Sequence, residues 1–297
     1  MHDDIAGLVS GISGVAKASK AERLGGLTNR VYRYGDVIVR VPGEGTEEYI
    51  NRAHEDIAAR AAAAAGVSPD VIHFDTATGV MVTRFVDGVT MSPELFLSRA
   101  GAPSRAALAL RQLHRSGQEF PVRFELFSMI DDYLGLLNGK AVSLPEGYHD
   151  LVSEAQAVRQ ALAANSVAAV PCHCDPLCEN FLDTGVRMWI VDWEYSGMND
   201  PMWDLGDLSV EGQFSEEQDE AMLTAYFDGS PPPKARARMV IYKAMCDLLW
   251  TLWGLIQLAN GNPADDFRRY ADGRFARCRA LMASDHFSRQ LSVLRHG

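Results

Sequence analysis

His173-Cys-Asp175-Pro-Leu-Cys-Glu-Asn180, followed shortly by Met188-Trp-Ile-Val-Asp192, is the stretch whose reading decides the fold. It spells H-x-D-x-x-x-x-N, and an apolar run then ends in an aspartate. Each residue type has a chemical use at this spacing. The carboxylate of Asp175 can accept or orient the proton of an attacking hydroxyl. Asn180 and Asp192 offer oxygen ligands of the kind magnesium prefers, to an ion that also touches nucleotide phosphates. Phosphoryl transfer asks for little beyond such positioning and charge neutralisation. Taken singly, each residue reads more readily as a turn or cap residue. Taken in order, with strand-like runs at 180–183 and 188–192 around Thr184-Gly185, they form a constellation. His173 reads as a structural residue that holds the loop. Cys172, Cys174 and Cys178 flank it and raise zinc as an alternative, but the paired C-x-x-C spacing of structural zinc sites is missing. The five cysteines read as reduced thiols.

Upstream, Ile5, Leu8, Val9, Ile12 and Val15 fit one face of an opening helix. Residues 22–27, 31–34 and 37–41 are strand-like, separated by Gly25-Gly26 and Gly35-Asp36. An alanine-rich helix is expected over 49–65, stopped by Gly66 and Pro69. Residues 71–74 and 80–85 read as a hairpin. Downstream of Met91 the pattern is mostly helical, apart from 170–192. The sequence therefore predicts an α+β fold with two lobes. A β-rich N-terminal lobe, 1–87, would bind nucleotide, and a larger, mostly helical C-terminal lobe, 88–297, would carry catalysis and the acceptor. A hinge near 86–88 would leave a ligand cleft between them.

The net charge of -11 over 297 residues argues against a nucleic-acid partner, whose phosphates need a basic footprint, and suits a cationic ligand. The most apolar stretch, 239–259, carries Lys243, Asp247 and Gln257, which argues against membrane insertion. The N-terminus shows no signal-peptide pattern, so a cytoplasmic location is expected. Oligomeric state is left open, a homodimer included.

The constellation resembles the aminoglycoside phosphotransferase and choline kinase superfamily, which has a protein-kinase-like fold. More narrowly, Gly26-Leu-Thr-Asn29, Val39-Arg-Val-Pro-Gly43-Glu-Gly45-Thr46 and Ile50-Asn-Arg52 look like the bacterial choline kinases linked to cell-surface phosphocholine. Asp192-Trp-Glu-Tyr195, Asp204-Leu-Gly and Leu249-Trp-Thr-Leu-Trp253-Gly are similar to the choline/ethanolamine kinase family's metal-binding and acceptor-pocket segments. The resemblance implies ATP and Mg²⁺ as cofactors and a small amino alcohol as substrate. Asp175 would be the base or orienter, and Asn180 and Asp192 the metal ligands. Arg40 would grip the phosphates, oriented by Glu55, and Asp204 would hold the catalytic loop. On residues alone, Arg40 reads as a cross-strand surface charge and Glu55 as a solvated helix residue.

Gly25, Gly26, Thr28 and Asn29 fit a nucleotide loop, since glycines let backbone approach phosphate closely. Alone, two glycines between strands make only a turn, and no P-loop sequence is present. Trp250 and Trp253 share one helix face. Spacing alone reads them as core; the resemblance makes them pocket walls with Tyr195 and Tyr270, where aromatic faces attract a quaternary ammonium. Glu194 and Glu211 would add charge attraction. Trp193 departs from the Phe usual in the family, and Cys178 has no evident role. Rival readings are an aminoglycoside, thiamine or amino-sugar kinase of the same fold, or a pseudokinase that binds nucleotide without turnover.

Overall fold

Val37, Val39 and Val82 point to one side of an N-terminal sheet and build its small core. The computed structural model describes residues 4–17, 20–25, 29–43 and 50–297. A single turn of helix, α1 (Ile5–Leu8), precedes β1 (Ala21–Gly25), β2 (Arg30–Tyr34) and β3 (Val37–Val41). Helix α2 (Arg52–Ala64) follows, then β4 (Val71–Phe74) and β5 (Met81–Arg84). The five strands lie in the order β1-β2-β3-β5-β4, all neighbours antiparallel. Asn51 caps α2 by accepting the N–H groups of Ala53 and His54. The expected opening helix through Val15 does not form. Gly11 and Gly14 sit at φ 87° and 85°, a left-handed backbone that ends a helix. Ile12 and Val15 still pack on the N-terminal core, so the apolar spacing marked contact and not helix.

The remainder is mostly helical. After β6 (Val89–Thr90) come α3 (Pro93–Ser98), α4 (Ala102–His114), α5 (Leu126–Leu137) and α6 (Tyr148–Ala164). Three short strands, β7 (Val170–Cys172), β8 (Phe181–Asp183) and β9 (Met188–Ile190), interrupt the helices, and β10 (Gly197–Asn199) returns to pair with β7. The β8–β9 hairpin falls where the sequence placed it, and β6 extends it to three strands. The β7–β10 and β6–β8 pairings were not foreseen, because two- and three-residue strands carry too little pattern. Helices α7 (Pro201–Glu211), α8 (Glu216–Phe227), α9 (Pro233–Ala259), α10 (Phe267–Met282) and α11 (Asp285–His296) complete the chain. Helix α9 is long and apolar enough to cross a membrane, yet 89% of its apolar stretch is buried inside the protein. It packs against α5, α7, α10 and α11. Its polar residues are partnered there: Asp247 meets Arg274 and Arg277 of α10.

Candidate active site

The loop between β7 and β8 carries the motif, and its shape is fixed from below by Asp204. That carboxylate, in the first turn of α7, accepts the backbone N–H groups of His173 and Cys174, each at 2.8 Å. His114 Nε2 lies 2.9 Å from it. Trp203 Nε1 donates to the Cys174 carbonyl at 3.0 Å. These bonds hold Cys174 at φ 68°, a left-handed conformation a non-glycine residue adopts only when its surroundings impose it. His173 spans the loop. Its Nε2 donates to the Val191 carbonyl at 2.9 Å, and its Nδ1 accepts the Asp175 N–H at 3.3 Å. Burial lowers its pKa below 6.5, so the ring is neutral and structural. Trp193 packs on it at 4.9 Å and donates to Ser68 Oγ at 3.0 Å. The indole thus gains a bond to the segment after α2 that a phenyl ring lacks.

Asn180 donates its amide to the Asp175 carbonyl at 3.0 Å, leaving its side-chain oxygen for another partner. Asp192 sits two residues beyond β9 at φ 68°. Opposite it, Arg40 of β3 pairs with Glu55 of α2, with Asp192 at 3.2 Å and with Glu194 at 3.4 Å. Arg52 pairs with Glu55 at 2.8 Å and Glu194 at 2.6 Å. Asn29 donates to Glu194 at 3.1 Å and Asp192 at 3.4 Å. Burial opposes the Arg40 charge, but Glu55, Glu194 and Asp192 more than offset it, so Arg40 stays protonated. Burial and then Glu194 push Asp192 up to about 7, against the pull of Arg40. Carboxylate oxygens of Glu55, Asp192 and Glu194 converge within 4.8 Å. Such oxygen donors suit a hard divalent cation, but Arg40 and Arg52 already pair with Glu55 and Glu194, and Asp192, the most exposed of the three, is the one open to an ion. Glu194 therefore lies with the Arg40 cluster, and not on the aromatic side where the sequence placed it.

Helices α7, α9 and α10 carry the second group of expected site residues. Trp250 donates to Asp207 Oδ2 at 3.2 Å and packs edge-on against Tyr195 at 5.2 Å. Trp253 packs edge-on against Tyr270 and Phe267, each at 5.6 Å. Gly254 lets Tyr270 approach: a Cβ there would sit 2.6 Å from the ring. Burial, then the Glu211 and Asp192 carboxylates, push Asp175 well above the usual carboxylate range, while Arg274 works the other way. Asp175 thus feels charges of the Arg40 cluster and of α7 and α10. Glu211 is paired with Arg274.

Gly26 and Thr28 lie outside the described residues, and Gly25 closes β1. Of the three cysteines that raised zinc, Cys172 lies in a buried group with His114 and Asp204, but that carboxylate is already committed to the N–H groups of His173 and Cys174 and to His114, and Cys174 and Cys178 are not part of the group. Arg52, Asp207 and Arg274 were missed. Two had a readable signal: Arg52 precedes Glu55 by three positions and Arg274 follows Tyr270 by four, so each shares a helix face with a site residue.

The chain matches the phosphotransferase enzyme family over residues 21–242. The crystal structure of a choline/ethanolamine kinase family protein from Mesorhizobium loti is 64% identical, covers 98% of this chain and 95% of its own, and superposes with a TM-score of 0.88. The choline kinase LicA from Streptococcus pneumoniae is 28% identical over 93% of this chain and 97% of its own, with a TM-score of 0.79. A structure of LicA in complex with AMP is 27% identical over 94% and 96%, with a TM-score of 0.77. The fold is accordingly protein-kinase-like, and the chain belongs to the phosphotransferase enzyme family, in its choline/ethanolamine kinase branch.

Proposed function

We propose that this kinase of small amino alcohols moves the terminal phosphoryl group of ATP onto the hydroxyl of choline, with ethanolamine as the second acceptor. The observation that carries the reading is the position of Asp175. Its electrostatic neighbours are Asp192 and Glu194 of the Arg40 cluster, and Glu211 and Arg274 of α7 and α10. A hydroxyl at Asp175 would therefore meet phosphate on the metal side while its cationic end lies among Trp250, Trp253, Tyr195 and Tyr270. Four aromatic side chains favour choline. A trimethylammonium donates no conventional hydrogen bond, and cation–π contacts contribute about 0.5–2 kcal/mol each.

Asp175 accepts a hydrogen bond from the acceptor hydroxyl and aims the oxygen at the terminal phosphorus. The new P–O bond forms as the bond to the β-phosphate oxygen breaks, ADP leaves, and the hydroxyl proton passes to Asp175. In its ionised form this buried carboxylate is a strong base for the proton. Arg40, fixed by Glu55, presents its guanidinium to the phosphates, a planar fork suited to paired oxygen contacts. Asn180 and Asp192 would hold magnesium, which would neutralise charge on the outer phosphates. The AMP complex of LicA supports the nucleotide assignment.

The test is ATP consumption across choline, ethanolamine and neutral alcohols, with Trp253→Ala as the variant. Trp253→Ala is expected to raise the choline KM at least about tenfold, roughly 1.4 kcal/mol, with the ATP KM within twofold. Equal shifts in both constants would count against the aromatic pocket. Nucleotide binding without phosphorylation of any alcohol would leave a pseudokinase.

A further inference from the structure

We propose that Arg274 is a specificity-determining residue that limits the acceptor to a single positive charge. The inference rests on the amino-alcohol reading above and names which cations that pocket takes. Arg274 is buried, 4% exposed, on α10. One arm of its guanidinium pairs with Glu211 of α7, and the other reaches Asp247 of α9 at 3.2 Å. The guanidinium carbon lies 4.6 Å from the centroid of the Tyr270 ring, covering one face. The protein thus supplies its own cation beside the aromatic pocket and spends on it the carboxylate that the sequence offered to the substrate.

Most of the carboxylates around this pocket are already committed. Asp175 is committed to the acceptor hydroxyl. Asp247 is shared with Arg277 at 2.6 Å. Asp207 accepts from Trp250, and burial with Glu211 and Asp175 nearby favours its neutral form. Glu55 and Glu194 are taken by Arg40 and Arg52. A monocation needs only the aromatic faces. A dication would have to strip water from its second charge next to the fixed charge of Arg274, with Glu211 already paired to that guanidinium. Rejection of the wrong ligand by an unpaired, repelled charge is a common source of specificity. Three buried polar atoms without a hydrogen-bond partner, Asp207 Oδ1, Trp253 Nε1 and Arg274 Nε, belong to this same side of the site.

The experiment compares kcat/KM for choline with that for 1,3-diaminopropan-2-ol, which carries one hydroxyl and two ammonium groups. The wild type is expected to prefer choline. Arg274→Gln frees Glu211 and should narrow that preference at least about tenfold, chiefly through the acceptor KM, with the ATP KM within twofold. Arg274→Lys keeps the charge and should hold the wild-type ratio. Glu211→Gln combined with Arg274→Gln removes the freed carboxylate and should return the ratio toward wild type. An unchanged ratio in Arg274→Gln, or Arg274→Lys behaving like Arg274→Gln, overturns the inference. If Arg274→Gln does not fold, inhibition of the wild type decides. Tetramethylammonium should compete with choline at least about tenfold more strongly than 1,4-diaminobutane, and equal inhibition overturns the inference. A wild type that phosphorylates no amino alcohol defeats the acceptor reading itself, whereas turnover of choline with an unmoved ratio defeats only the role of Arg274.

Discussion

At the scale of single residues, two positions carry separable expectations. Asp175 has the chemistry of the proton acceptor, and its raised pKa follows from burial and from Glu211 and Asp192. Asp175→Asn should lower kcat by about 10²- to 10⁴-fold with little change in the ATP KM, since general-base contributions fall in that range. Steady-state kinetics decides, and unchanged turnover would remove Asp175 from the mechanism. Gly254 acts by what it lacks. With Tyr270 Cδ1 2.6 Å from a would-be Cβ, Gly254→Ala must push the ring aside. Overpacking of this kind costs about 1–3 kcal/mol. The acceptor KM should rise while the ATP KM holds, because the Arg40 cluster lies on other elements. Asp175 could be read from the sequence because its spacing to Asn180 is local. The role of Glu211 could not, because its partner Arg274 lies 63 positions away.

At the scale of elements, the catalytic loop is held by neighbours more than by its own propensity. Asp204 of α7 accepts two loop N–H groups, and β10 fixes the strand that leads in. Asp204→Ala leaves those buried donors unpaired, at about 1–3 kcal/mol each. A fall in the midpoint of thermal unfolding and in kcat, with the acceptor KM retained, is the expected pattern. His173 adds a pH dependence whose sign can be worked out. Burial depresses its pKa below the unfolded value of 6.5. Below that pH the unfolded chain takes up a proton that the folded ring refuses. Stability is therefore fully present above pH 6.5 and falls as pH drops, by up to about 1.4 kcal/mol per unit until the folded pKa is reached. The difference between wild type and His173→Gln in thermal unfolding at stepped pH should show that loss, because the raised Asp192 and Asp175 act with the opposite sign in both curves. A wild-type curve parallel to the variant's would remove His173 as its source.

At the scale of the whole molecule, the Arg40 cluster joins the N-terminal sheet to the segment after β9, through Asp192 and Glu194. Arg40→Lys keeps the charge but cannot fork between Glu55 and Asp192. It should raise the ATP KM and leave the acceptor KM unmoved. The net charge of -11 makes a second global prediction. Attraction of a cation by an acidic surface weakens as salt screens it. The kcat/KM for choline should thus fall several-fold between about 20 and 500 mM salt, while that of its neutral isostere 3,3-dimethylbutan-1-ol stays level. By itself the sequence determined the strands of the N-terminal sheet, the helix that follows β3, the β8–β9 hairpin and the loop from His173 to Asn180. These are set by local periodicity, turn residues and short spacings. The tertiary structure alone decided which charges meet. It drew Glu194 to Arg40 and Arg52, gave Glu211 to Arg274, and put Asp175 in the field of both groups. The physical reason is that a buried charge takes the partner the packing brings to it, and packing joins residues far apart in the chain.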